Sequence, residues 1–119
     1  MRFDPRPFVE HYRAENEAER LLIEERANAA IVEARRIAQR IQQDDPGVRS
    51  VILFGSLAED GPRRKDFDID LAIVGGDVFT AMDAAEDSVY KVDIVSLESL
   101  PAHIRKRVEK KGVVLVTIT

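Results

Sequence analysis

The sequence has 119 residues, 45% hydrophobic and 34% charged, with no cysteine and a formal net charge of −4. That length predicts one domain around a single modest core, and the hydrophobic content excludes an intrinsically disordered chain. The lack of cysteine excludes a disulfide framework and a thiolate metal site, and the acidic balance argues against broad, non-specific binding to DNA or RNA.

Asp4-Pro5 resembles a helix start, with a capping carboxylate ahead of a proline in the first turn. From Pro7 to Gln43 there is no further Gly or Pro, and Ala, Glu, Arg and Ile dominate, all but Ile being strong helix formers. In the second half Ile23, Ala27, Ala30, Ala34, Ile37 and Ile41 recur at helical spacing, with Ile31 and Ala38 beside them. This is one apolar face, expected to pack on a sheet. The first half, around "HYRAENEAER", is mostly polar, with Phe8, Val9 and Tyr12 as isolated anchors. It reads as a solvated helix, the alternative being a contact with a partner or with a second copy of the chain. One unbroken helix here would be roughly 60 Å long, so it is expected either to break near residues 14–20 or to project from the body. Residues 1–44 are therefore predicted as a helical extension packing on a core formed by 45–119.

"DDPG", Asp44 to Gly47, stops the helix. Strands are predicted over Val48–Phe54, Phe67–Val74, Tyr90–Val95 and Val113–Ile118. Helices are predicted over Asp77 to about Asp87 and over Pro101–Lys111. Glu86 and Asp87 suit the end of the former poorly, whereas the latter has basic residues in its last turn and Gly112 just past it. The order helix, strand, strand, helix, strand, helix, strand predicts an α/β fold, a small mixed β-sheet covered by helices. The close link between the first two strands suggests an antiparallel pair. No apolar segment at Met1 reads as a signal and no run is long enough to span a bilayer, so no membrane association and a cytoplasmic location are expected.

The stretch "VILFGSLAEDGPRRKDFDIDLAIV", Val51 to Val74, carries the chemistry. Asp68 and Asp70 interrupt a strand pattern, and strand interiors usually exclude aspartate. Residues i and i+2 on a strand share a face. Two carboxylates so placed repel each other and resist burial. Magnesium relieves both problems, since it takes hard oxygen ligands and combines one or two carboxylates with substrate phosphates. "YKVDIVSL" places Asp93 inside the next strand pattern, where it would lie beside Asp68 and Asp70 if the strands are neighbours. Three carboxylates plus metal suit phosphoryl or nucleotidyl transfer. Gly55-Ser56 follows the first strand, where glycine admits close approach of a phosphate and Ser56 can offer its N–H and hydroxyl. Singly these features have bland readings: Asp66 or Asp68 closing a charged loop, Gly55 serving only the turn, Asp93 facing water on an edge. In this order and on predicted strands they point to a functional site.

The run "LFGSLAEDGPRRKDFDIDLAIV" together with "VDIV" resembles the minimal nucleotidyltransferases of the DNA polymerase β superfamily, many of them antitoxins encoded beside a HEPN-domain ribonuclease toxin. The resemblance covers about residues 48–118. It implies the polymerase β-like nucleotidyltransferase fold, with Gly55 and Ser56 at the nucleotide phosphates. It implies Asp68 and Asp70 as ligands of two magnesium ions, with Asp93 completing the site. The implied reaction is transfer of AMP from ATP to a hydroxyl of a HEPN-domain toxin. Many members continue Gly-Ser with a small residue, Arg and Gly, whereas here Leu57-Ala58-Glu59-Asp60 follows and Gly61 comes later. An acidic pair thus replaces the expected base, and Arg63-Arg64-Lys65 is either the substitute charge or a solvated loop. The alternative to an enzyme is a non-catalytic binding module that neutralises a partner toxin by occlusion. Transfer to RNA or to a small molecule is a third reading. His11 and His103 have no metal-ligand spacing and read as surface residues. Arg105, Lys106, Arg107, Lys110 and Lys111 read as solvated cations complementing a helix dipole.

Overall fold

A computed structural model describes residues 6–59 and 67–118. Helix α1, Arg6–Asp44, runs unbroken for 39 residues, about 58 Å at the α-helical rise. Of the two expected outcomes, a break near residues 14–20 or a projection, the structure has the second, and after Pro7 no Gly or Pro interrupts the ladder before Pro46. The chain measures 73 × 31 × 23 Å. Arg13 to Leu22 are exposed throughout, whereas Ala27, Ala30, Ala34, Ile37, Ala38 and Ile41 are buried. The predicted start at Asp4-Pro5 and the side chains of Phe8, His11 and Tyr12 lie outside the described residues.

Strands β1, Val48–Phe54, β2, Ile69–Gly75, β3, Val92–Ser96, and β4, Val113–Thr117, form one sheet in the order β3-β2-β1-β4. β1 pairs antiparallel with both β2 and β4, while β2 and β3 are parallel. The sheet is therefore mixed, as predicted. The parallel pair requires a crossover, supplied by α2, Val78–Ala85. Helix α3, Ala102–Lys111, links β3 to β4. No helix among the described residues is long and apolar enough to cross a membrane.

The sheet has two unequal faces. On one, Val51, Leu53, Ile69, Leu71, Ile73 and Ile94 pack against α1 and α2. The alanines of α1 and Ala81, Ala84 and Ala85 of α2 have small side chains that let both helices sit close to the strands. On the other, Ile52 and Ala72 meet Leu97 and Val108, with Phe54, Val74 and Val95 partly buried. This cluster is the smaller of the two.

Element ends differ from the sequence reading by one or two residues for local reasons. The Asp77 side chain accepts from Phe79 N–H and Thr80 N–H, so it is the cap of α2 and not its first residue. α2 stops at Ala85, before the two acidic residues that suit its end poorly. Asp87 instead accepts from Arg40 Nη1 at 3.1 Å, tying the turn after α2 to α1. β2 starts at Ile69 and not Phe67, leaving Asp68 just outside it. Asp45 joins two loops, accepting from Gly47 N–H at 3.0 Å and from Asp77 N–H at 2.7 Å.

Candidate active site

β2 sends Ile69, Leu71 and Ile73 into the larger core, so its alternation sends Asp70 to the opposite, thinly covered face. In register, Asp70 stands beside Phe54 of β1 on one side and Asp93 of β3 on the other. Asp70 is half-buried and Asp93 exposed. Parallel pairing thus places two carboxylates next to each other on one face of neighbouring strands.

Asp68, the residue before β2, approaches from the strand entry. Its Oδ2 lies 3.8 Å from Lys91 Nζ in a largely exposed contact that contributes little to stability. Lys91 is held there by its own backbone, since its carbonyl accepts from Ile69 N–H at 3.0 Å. Desolvation, then the charges of Asp93 and Asp68, push the Asp70 carboxyl above its ordinary range, with Lys91 opposing them.

Gly55 begins a 3₁₀ turn, Gly55–Leu57, directly after β1. Its φ of +76° lies where side chains are disfavoured. A Cβ there would collide with Asp70 Oδ2 and stand 3.2 Å from its Cγ. Glycine is therefore required twice, by the backbone and by the carboxylate that fills the space of its side chain. The turn is closed by Ala58 N–H and Glu59 N–H, both donating to the Gly55 carbonyl. Ser56 follows, half-buried within the same turn.

Of the five site residues expected from the sequence, Gly55, Asp70 and Asp93 are brought together, with Ser56 and Asp68 at their edges. The expected three-carboxylate ligand set is not assembled as such: among the described residues no group of three carboxylate, His or Cys side chains is placed to hold one ion. The donor set nonetheless fits magnesium, which binds through one or two protein carboxylates and takes its remaining ligands from phosphate and water.

Two cations escaped the sequence reading. Arg107 of α3 donates from Nε, at 3.0 Å, and from Nη2, at 2.5 Å, to Glu59 Oε1. Arg107 and Lys111, one helical turn apart, line a pocket of about 100 Å³ together with Phe54, Gly55, Ala58 and Glu59. The available signal was Glu59 itself, an acid where a base is expected, which calls for a counter-charge from elsewhere. Gly112, which ends α3 with φ −70°, is needed for proximity and not for conformation, since a Cβ there would run into Val108 O. His103 is exposed on α3. Asp60, Gly61, Arg63-Arg64-Lys65 and Asp66 lie outside the described residues.

Residues 36–118 match the family described as Polymerase beta, Nucleotidyltransferase. No curated protein sequence matches the chain. Among solved structures, a mutant of the toxin–antitoxin MntA–HpeT with two Asp-to-Glu substitutions is similar at TM-score 0.54 and 20% identity, over 78% of this chain and 74% of that one. A toxin–antitoxin with AMP-PNP is similar at TM-score 0.55 and 24% identity, over 68% and 70%. The tri-AMPylated Shewanella oneidensis HEPN toxin in complex with MNT antitoxin gives TM-score 0.49 and 21% identity, over 79% and 72%. At these identities the first two likenesses establish a shared fold.

Proposed function

The chain belongs to the polymerase β nucleotidyltransferase family, and from that premise we propose that it transfers AMP from ATP to a hydroxyl of a partner protein, a HEPN-domain toxin that it serves as antitoxin. The observation that supports this best is Asp70 set beside Asp93 on parallel strands, with Gly55 packed on the Asp70 carboxylate. A rigid pair of strands fixes the two carboxylates relative to the glycine turn.

Asp68, Asp70 and Asp93 are the magnesium ligands in this reading, serving two ions. Magnesium bound there supplies neutralisation of phosphate charge and lowers the pKa of an attacking hydroxyl. Gly55 lets the phosphate chain approach the backbone closely, and Ser56 donates to its oxygens. The acceptor oxygen forms a bond to the α-phosphorus, the bond to the bridging oxygen of the β-phosphate breaks, and pyrophosphate leaves. The hydroxyl proton is released to water or to a neighbouring carboxylate. Val9, Leu21 and Leu22 are exposed on the projecting half of α1. They offer apolar contacts to the partner, or to a second copy of the chain.

The test is incubation with ATP labelled at the α-phosphate and magnesium, with and without the protein encoded next door. Label should appear on the partner and vanish with the Asp68→Asn/Asp70→Asn variant. One observation favours a second reading, neutralisation by occlusion: Glu59 occupies the cation beside the glycine turn. A stable complex that carries no label, and neutralisation undisturbed by the double Asn variant, would establish occlusion and displace transfer.

A further inference from the structure

The pocket between the glycine turn and α3 has no part in the reading above. Gly55 belongs to both: a Cβ on it would meet the Asp70 carboxylate, and it lines the pocket together with Arg107 and Lys111. Val108 anchors α3 in the smaller core. Arg107 and Lys111, adjacent to it and one turn further on, are thereby held over the glycine turn, on the face that carries Asp70 and Asp93. A phosphate chain that reaches Gly55 from the carboxylates meets the pocket that these two cations line.

Resting on the nucleotidyltransferase reading, we propose that Arg107 and Lys111 bind the β- and γ-phosphates of the nucleotide, and that Glu59 is the latch that holds Arg107 until the phosphates arrive. A positive charge is missing from the turn itself, where Leu57-Ala58-Glu59 follows Gly55-Ser56. α3 supplies it from the same face of the sheet. Glu59 engages Arg107 through one oxygen only. A guanidinium carries five N–H donors in a planar fork suited to phosphate, so the remaining donors can engage an incoming anion. The pair is solvent-facing, with Arg107 69% and Glu59 39% exposed. Such pairs contribute little, so exchanging the carboxylate for phosphate carries a small penalty. Glu59 sits two residues beyond the 3₁₀ turn and can swing away without disturbing a core contact.

Calorimetric titration with inorganic tripolyphosphate, ATP and AMP tests this. Arg107→Ala should weaken tripolyphosphate and ATP roughly ten-fold or more, the size of a lost charge-assisted contact, and leave AMP, which lacks the outer phosphates, unchanged. Arg107→Lys should fall between, having the charge without the fork. Glu59→Gln should tighten tripolyphosphate about two- to five-fold by removing a competitor of like charge. Arg107 is exposed and Glu59 partly so, and neither belongs to a core cluster, so these substitutions remove no packing contact of the core. Equal affinities of wild type and Arg107→Ala for tripolyphosphate, no binding by the wild type, or weaker binding by Glu59→Gln would each overturn the proposal. The Asp68→Asn/Asp70→Asn variant without magnesium separates the two readings. If it keeps Arg107-dependent tripolyphosphate binding while the native chain shows no transfer, the anion site stands and the transferase reading falls. If the native chain transfers AMP and Arg107→Ala changes nothing, only the anion site falls.

Discussion

β2 faces two environments with alternate residues. Ile69, Leu71 and Ile73 are fully buried against α1 and α2, while Asp70 between them is half-buried beside a second carboxylate. The first face gains from every methylene removed from water. The second carries repulsion and desolvation that do nothing for folding. The contrast teaches that stability and chemistry have been separated onto opposite sides of one strand, one residue apart. The packed side supplies the rigidity that keeps the strained side in place.

The comparison is broken most sharply by exchanging the effects. Asp68→Asn/Asp70→Asn should lower AMP transfer by a factor on the order of 10³ or more, several kcal/mol of transition-state stabilisation, while circular dichroism stays native. Leu71→Ala, on the same strand, should do the reverse. It should cost about 2–5 kcal/mol of stability, a large share of a typical total, read as an early denaturant midpoint. A Leu71→Ala variant as stable as the native chain would remove the distinction between the faces.

Gly55→Ala tests the seam where the faces meet. The left-handed backbone costs a non-glycine residue roughly 1–2 kcal/mol, and its Cβ must also displace the Asp70 carboxylate. Transfer should therefore fall further than the thermal midpoint implies. A loss of stability with transfer intact would show that Asp70 can move without consequence. Asp45→Ala, remote from the site, should cost about 1–3 kcal/mol by orphaning the Gly47 and Asp77 N–H groups, and leave kcat unchanged.

How much of this was legible in the sequence follows the same division. The apolar face of α1 could be read because helical spacing leaves few alternatives, and each buried residue of α1 is one that the periodicity selects. The alternation around Asp70 could be read for the same reason. The helix propensity of residues 14–20 was legible as well, and both a break and a projection stayed open because a helix of about 58 Å is longer than the body it packs on. That Asp68 falls just outside β2 was not legible, because the strand's first residue, Ile69, is set by where its pairing with β3 begins. Arg107 was invisible as a site residue because its partner, Glu59, is 48 positions away. Only the fold brings α3 over the glycine turn. An exposed basic helix by itself carries no hint of that.

The smallest effect, and the finest test, lies in two carboxylates on opposite sides of the sheet. Glu33 of α1 is held below its ordinary range, chiefly by its hydrogen bond with Arg36, against some desolvation and with help from the Ser88 hydroxyl. Asp70 is pushed the other way. The signs of the linkage are opposite. Glu33 protonates less readily folded than unfolded, so its contribution is present above its ordinary value of 4.5 and is lost as pH falls through the depressed folded value. Asp70 holds its proton more tightly folded than unfolded, so its penalty is absent below its ordinary 3.8 and develops as pH rises through the elevated folded value. Glu33→Gln should therefore melt earlier than the native chain near neutrality and converge with it in acid. Asp70→Asn should melt later near neutrality, by up to a few degrees, and also converge in acid, provided the buffer is free of divalent cations. Adding magnesium should raise the native midpoint and leave Asp70→Asn where it was, because only a ligand that binds the folded chain stabilises it. Thermal melts of the three proteins from acid to neutral pH read all of this. An Asp70→Asn variant that melts earlier than the native chain in metal-free neutral buffer would mean that Asp70 serves the fold, and the division of labour between the two faces of β2 would be lost.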